Sequence, residues 1–225
     1  MEVRFMSAEI ATYDVDVAYL DSIMSLALAK RKVFRFIKLD LSSCKISYIS
    51  TRGTTYLGIK EGYKDLLSRK EKGLKEAKKL RAGAKNYLRL IRNEDDNILQ
   101  IESYKNGYLE CIYQAQHVNN HRYLFPFTPD GIPYSTYTYV THFKDGSVTE
   151  EYMVDDKQII YEGYTELQGK KLGYTYLNYV PEDHYPIREL LEGFFNLSNS
   201  TYTQTKFQCW LRDIPQKAQT APSLD

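Results

Sequence analysis

The chain has 225 residues, of which 43% are hydrophobic and 26% charged, and its formal net charge is +1. That length and balance give it enough apolar material for a core of ordinary size in one domain, and exclude an intrinsically disordered chain. The unusual feature is 21 tyrosines against nine phenylalanines and one tryptophan; a large apolar ring with a hydroxyl tip suits half-buried sheet faces and wet interfaces.

The N-terminus, MEVRFMSAEIATYDVD, lacks a basic start followed by an apolar run, which argues against a secretory signal. The most apolar window, Ser22 to Ala29, is too short to cross a bilayer. The expectation is a cytoplasmic protein. Cys44, Cys111 and Cys209 form an odd set without C-x-x-C spacing, which fits free thiols in a reducing compartment.

In chain order, Val17, Leu20, Ile23, Met24, Ala27 and Leu28 recur at three- and four-residue steps within Asp14–Arg31, predicting an amphipathic helix with Lys30 to Lys32 at its end. VFRFIKLDL then alternates as a strand does, with Phe34 and Phe36 on one side and Val33, Arg35 and Ile37 on the other. KISYIS and TTYLGI complete a predicted three-strand meander. Residues 60–92 hold twelve Lys and Arg against Glu61, Asp65, Glu71 and Glu76, a net of +8. Leu67, Leu74, Leu80, Ala84, Leu88 and Ile91 share one side of a helical wheel, so a basic helical segment is predicted, interrupted at Gly73 or Gly83.

After residue 97 the period becomes alternating and stays so to about residue 180. Asn106–Gly107 and Asp145–Gly146 are tight-hairpin dipeptides, and DDK and GKK supply two further turns. A long connection with a short edge strand at Arg122–Phe127 is expected within QHVNNHRYLFPFTPDGIPYS. A helix at 186–195, a final strand at 202–211 and a flexible tail at 214–225 finish the single domain, which spans 1–213. The hairpins YKNGYLECIY, FKDGSVTEEY and LQGKKLGYTY share an order of aromatic or apolar residue, polar residue, Gly and then Tyr. In this the chain resembles the hairpin repeats of MORN-type proteins over about a third of its length. The resemblance implies an array of hairpins and carries no function across. The expected fold class is α+β, a large curved antiparallel β-meander with helices packed on one face.

No segment carries a phosphate-cradling Gly loop, a G-x-S-x-G elbow or a metal-ligand spacing on a helix. His117 and His121 are four residues apart, but in an expected loop, so a solvated loop is preferred to a metal site. His142 sits on an expected strand beside Thr138 and Val140. Asp155 and Asp156 are better explained by a turn than by a bound cation. No catalytic residue, cofactor or metal is expected.

Two surfaces remain. One is a tyrosine ladder, Tyr137 and Tyr139 with Tyr174 and Tyr176, backed on the other side of the sheet by Thr138, Val140, His142, Leu177 and Tyr179; one face of the meander would be covered by helices and the other left open to a partner. The other is a basic stripe of Lys64, Lys75, Lys78, Lys79 and Arg89. The reading is a non-catalytic cytoplasmic protein-binding module, most concretely an immunity- or inhibitor-type protein. Its expected partner-binding residues are Tyr137, Tyr139, His142, Tyr174, Tyr176, Tyr179, Lys75, Lys78, Lys79 and Arg89. Two alternatives stand beside it: an enzyme or small-ligand carrier with a Tyr-lined pocket in the curved sheet, and nucleic-acid binding through the basic stripe of 60–92.

Overall fold

The computed structural model describes residues 16–50, 76–134, 137–144, 147–168, 171–181, 187–196 and 201–209. Helix α1 (Val17–Val33) begins at Asp16, whose carboxylate accepts the backbone N–H of Ala18 and Tyr19 at 2.9 and 3.2 Å. That cap satisfies donors that an unpartnered first turn leaves orphaned. Leu20, Ile23, Met24 and Ala27 form its buried stripe, and Lys30, Arg31 and Lys32 occupy its last turn, where the helix dipole favours cations.

Among the described residues twelve strands make one antiparallel sheet. They are β1 (Lys45–Ser50), β2 (Glu76–Ala77), β3 (Tyr87–Arg92), β4 (Ile98–Lys105), β5 (Tyr108–Val118), β6 (His121–Phe127), β7 (Thr138–Lys144), β8 (Ser147–Val154), β9 (Ile159–Leu167), β10 (Lys171–Tyr179), β11 (Ile187–Asn196) and β12 (Thr201–Cys209). From β3 to β12 they lie side by side in chain order, with β1 and then β2 beyond β3. The meander over 97–180 and the antiparallel architecture therefore stand, with one helix among the described residues. Asn106 and Gly107 both have positive φ, 54° and 85°, as a two-residue hairpin between register partners Lys105 and Tyr108 requires.

Each face of the sheet carries its own core. On the face beneath α1, register partners Tyr123, Val140, Tyr152, Tyr161, Leu177 and Leu190 form a continuous row across β6 to β11, and they pack with Leu20, Ile23 and Met24 in one cluster. On the second face Leu88, Leu90, Ile101, Tyr113 and Leu124 form a separate cluster, with Tyr139 packed against it. Burial on both faces is the reason that β6 reads as a continuous apolar run from Tyr123 to Phe127.

Four expectations are corrected. Residues 34–41 alternate but join no ladder. They cross the sheet as a strap, with Phe34 stacked on Phe125 at 4.2 Å, Phe36 edge-on to Phe127 at 5.4 Å, and the Ile37 N–H bonded to Gln114 Oε1 at 2.8 Å. Residues 76–92 are not helical: Lys78 and Lys79 lie in an exposed bend, Gly83 has φ +76°, and Tyr87–Arg92 is a strand whose Leu88 and Leu90 point into the second core. Arg122–Phe127 lies in a central strand, paired with β5 and β7. Its Pro126 is tolerated because β7 pairs only His121 to Leu124. Residues 187–196 form β11 instead of a helix; Leu190 and Phe194 lie on one face and Leu191 on the other, so a strand with apolar residues on both faces mimics helical spacing. The expected strand TTYLGI, residues 60–75 of the basic segment and the tail at 214–225 lie outside the described residues.

Candidate functional site

The sheet places the expected residues unevenly. Tyr174 and Tyr179 are buried, the latter donating its hydroxyl to Asp21 of α1 at 2.7 Å. Val140, Thr138, Leu177 and Tyr179 belong to the face that α1 covers. Tyr137, Tyr139 and Tyr176 are half-buried. Tyr139 meets Tyr113 edge-on at 5.8 Å within the second core, and the Tyr137 hydroxyl accepts from Gln158 Nε2 at 3.3 Å. Lys64 and Lys75 are outside the described residues. His117 and His121 flank a two-residue turn on successive strands and occupy opposite faces, so they cannot converge on one ion: His117 Nε2 lies 2.7 Å from the Ile98 carbonyl, whereas His121 stacks on His142. Asp155 Oδ1 accepts the N–H of Lys157 and Gln158, both at 2.7 Å, and so closes the β8–β9 turn.

What the sheet does assemble begins with Glu-x-Tyr. In a strand, residues two apart share a face, and three times a tyrosine donates its hydroxyl to the glutamate two positions earlier: Tyr104 to Glu102 at 2.9 Å, Tyr152 to Glu150 at 2.9 Å, and Tyr164 to Glu162 at 3.0 Å. Burial raises the pKa of all three phenols, Tyr104 to about 12, with the bonded carboxylate adding to the effect. These hydroxyls remain protonated donors at any physiological pH.

Around Glu102 this unit becomes a surface. Tyr87 and Tyr104 are register partners whose rings stack 4.4 Å apart at 11°, and Tyr48 of β1 meets Tyr87 edge-on at 6.1 Å. All three are half-buried. Arg89, opposite both Tyr48 and Glu102, places Nη1 3.1 Å from Glu102 Oε2. Glu102 Oε1 accepts Gln100 Nε2 at 2.9 Å, Gln100 Oε1 accepts Gln114 Nε2 at 3.0 Å, and Gln114 holds both the N–H and the carbonyl of Ile37. The polarity of this chain is fixed at both ends, because the Ile37 N–H can only donate and the carboxylate can only accept. A directional relay thus runs from the strap to the carboxylate that orients Tyr104 and Arg89. From Ala77 to Arg92 the sequence has no acidic residue, and Lys78, Lys79, Arg81 and Lys85 are exposed. The Lys85 carbonyl accepts the Gly107 N–H at 2.7 Å, tying that basic turn to the hairpin next to Tyr104.

A second polar row lies on the opposite face, where Arg122, Thr141, Glu151, Glu162 and Tyr176 are successive register partners. Arg122 donates to Thr141 Oγ1 at 3.2 Å and sits 5.4 Å from the Phe143 ring, while Glu151 and Glu162 are buried side by side. Among the described residues no group of three or more His, Cys, Asp or Glu could hold a metal ion, and no helix is long and apolar enough to cross a membrane.

Comparison with known proteins identifies no relative: no protein family, curated protein or solved structure matches the chain. Of the expected site residues, Arg89 alone stands in the platform. Tyr48, Tyr87, Tyr104 and Glu102 were missed, because the residues around them were assigned to a helix and to an undifferentiated meander. The repeated Glu-x-Tyr spacing was the available signal.

Proposed function

We propose that the chain is a non-catalytic protein-binding module, with an immunity- or inhibitor-type protein its most concrete form, and that it receives an acidic protein surface on the Tyr48–Tyr87–Tyr104 platform. The observation that carries this reading is the stacked, half-exposed pair Tyr87–Tyr104 with its hydroxyl and Arg89 both fastened to Glu102. Rigid aromatic rings beside an arginine are the residue types that dominate binding energy at protein interfaces, and rings already held in place lose little freedom on binding. Charge supports the choice of partner: the adjacent turn carries Lys78, Lys79, Arg81 and Lys85 without an acid between them.

The experiment is capture from nuclease-treated lysate of the native host, with the full chain as bait, alongside Tyr87→Ala/Tyr104→Ala and the surface variant Lys78→Glu/Lys85→Glu. One acidic protein held at fixed stoichiometry by the wild type, weakened on the order of tenfold or more by each variant, is the expected result. Equal capture by all three chains refutes the reading, and retention that disappears with nuclease treatment replaces it with nucleic-acid binding.

A further inference from the structure

Side chains from β6, β7, β8 and α1 meet on one row beneath the helix. His121 of β6 and His142 of β7 are register partners with rings stacked 4.6 Å apart at 10°. His142 is also opposite Glu150 of β8, and its Nδ1–H donates to Glu150 Oε2 at 2.8 Å. The same oxygen accepts the Tyr152 hydroxyl at 2.9 Å, and the Tyr19 hydroxyl of α1 lies beside both Tyr152 and Glu150. Glu150 is thus a shared acceptor for a ring on β7 and a phenol on β8, directly under the helix that rests on those two strands.

The surroundings set how this row treats a proton. Glu150 fixes one on Nδ1 of His142. His121 Nε2 is shielded from solvent and has no hydrogen-bond partner, so a proton placed there is a buried donor with nothing to receive it. Of the groups around His121, His142 on β7 opposes an added positive charge, Glu150 on β8 favours it but is already bonded to His142 and Tyr152, and Tyr123 beside it on β6 is a neutral phenol. From α1, Lys30 stands 5.1 Å from the Tyr123 ring centre and Tyr19 is neutral; from β9, Tyr161 is a neutral phenol near Glu150.

We propose that the His121–His142–Glu150 row is a proton-responsive latch that fastens α1 to the sheet at neutral pH and loosens it in acid. A proton on His121 sets an imidazolium against a ring whose own N–H is already committed to Glu150. The stack then opens, His121 turns outward, and the support that His142 and Glu150 give to Tyr152 and Tyr19 weakens. The direction of the linkage agrees. Desolvation, with His142 adding to it, holds the His121 pKa below its ordinary value of 6.5. The unfolded or undocked form therefore binds more protons just below that value, and the latch's contribution is full above about pH 6.5 and lost as the pH falls below it.

Hydrogen-exchange protection factors, corrected for the intrinsic pH dependence of exchange, test this at pH 7.5 and pH 5.0 on the full chain. In the wild type the amides of Leu20 to Ala27 should lose on the order of tenfold protection in acid, while those of β9 and β10 keep theirs. His121→Phe preserves an aromatic ring in the stack and cannot titrate, and should abolish the loss. Unchanged α1 protection in the wild type, or an undiminished acid response in H121F, overturns the latch. Should H121F already melt at lower temperature at pH 7.5, the NMR titration of the His121 ring in the wild type decides: a midpoint at or above 6.5 overturns the proposal and one below it supports it.

Discussion

Replacing Glu102 by Gln exchanges one carboxylate oxygen for an amide nitrogen and should disturb a path that ends at Ile37 on the strap. Glu102 accepts three hydrogen bonds, from Arg89 and Tyr104 at Oε2 and from Gln100 at Oε1. An amide has one oxygen, so in the E102Q variant one side of the new group must present N–H to a donor. If the oxygen faces Arg89 and Tyr104, Gln100 has to turn its amide, and its oxygen can then no longer receive Gln114, which is held by Ile37. The loss is one buried neutral bond plus the weakening of two charge-assisted ones, about 1.5–3 kcal/mol. The lower half is favoured because the Arg89 side chain is 23% exposed, so water takes over part of the role of Glu102. With a urea slope of roughly 2–3 kcal/mol/M, the midpoint should fall by about 0.5–1.5 M. Exchange of the Ile37 amide should accelerate beyond what the global loss explains. A midpoint within about 0.2 M of wild type and an unchanged Ile37 amide would refute the directional relay.

Two further outcomes follow from single sites. Gly163→Ala should lower stability by about 1–3 kcal/mol, or roughly 3–10 °C in melting temperature for a chain of this length. A Cβ there would lie 2.2 Å from the Tyr161 hydroxyl, and the Tyr161 ring is itself packed against Tyr152 at 5.4 Å; a melting temperature equal to wild type would mean that the ring moves aside freely. Cys111, buried with its thiol pushed up to about 11 chiefly by desolvation, should resist alkylation at pH 7.5 in the native chain and react in urea. Peptide mapping that finds Cys111 modified as fast as the partly exposed Cys44 would contradict its placement in the second core.

Much of the sheet was legible because its information is local. Asn106–Gly107 can adopt two successive positive φ values at low cost, and period-2 runs on either side leave one pairing register that keeps each face consistent. The α1 stripe was equally readable from Leu20, Ile23, Met24 and Ala27. The failures share a cause: short segments whose pattern suits two structures, decided by neighbours distant in sequence. Leu88 and Ile91 fit a helical wheel, yet Leu88 and Leu90 fit a strand, and pairing with β1 and β4 settles the matter. In β11 apolar residues on both faces, Leu190 and Leu191, imitate helical spacing. The candidate site was less legible for another reason. Alternation shows which residues share a face but not which face a helix will cover, and α1 closes the one that carries Val140, Leu177 and Tyr179. The partner of a strand tyrosine two residues back was readable all along, since Glu102, Glu150 and Glu162 each precede the tyrosine they bind.

From β3 onward each strand is laid next to the one made just before it. A sheet ordered in this way can be assembled in the direction of synthesis, each new hairpin finding its seat already formed and no loop having to wait for a distant partner. Its size is correspondingly open to change: duplicating or trimming hairpins at the β12 end adds or removes width without re-threading what comes earlier, as in stacked-repeat proteins. Helix α1 and the strap, which come earlier in the chain than β6, must remain unseated until β6 to β8 have emerged, so the platform end and the helix-covered end mature at different times.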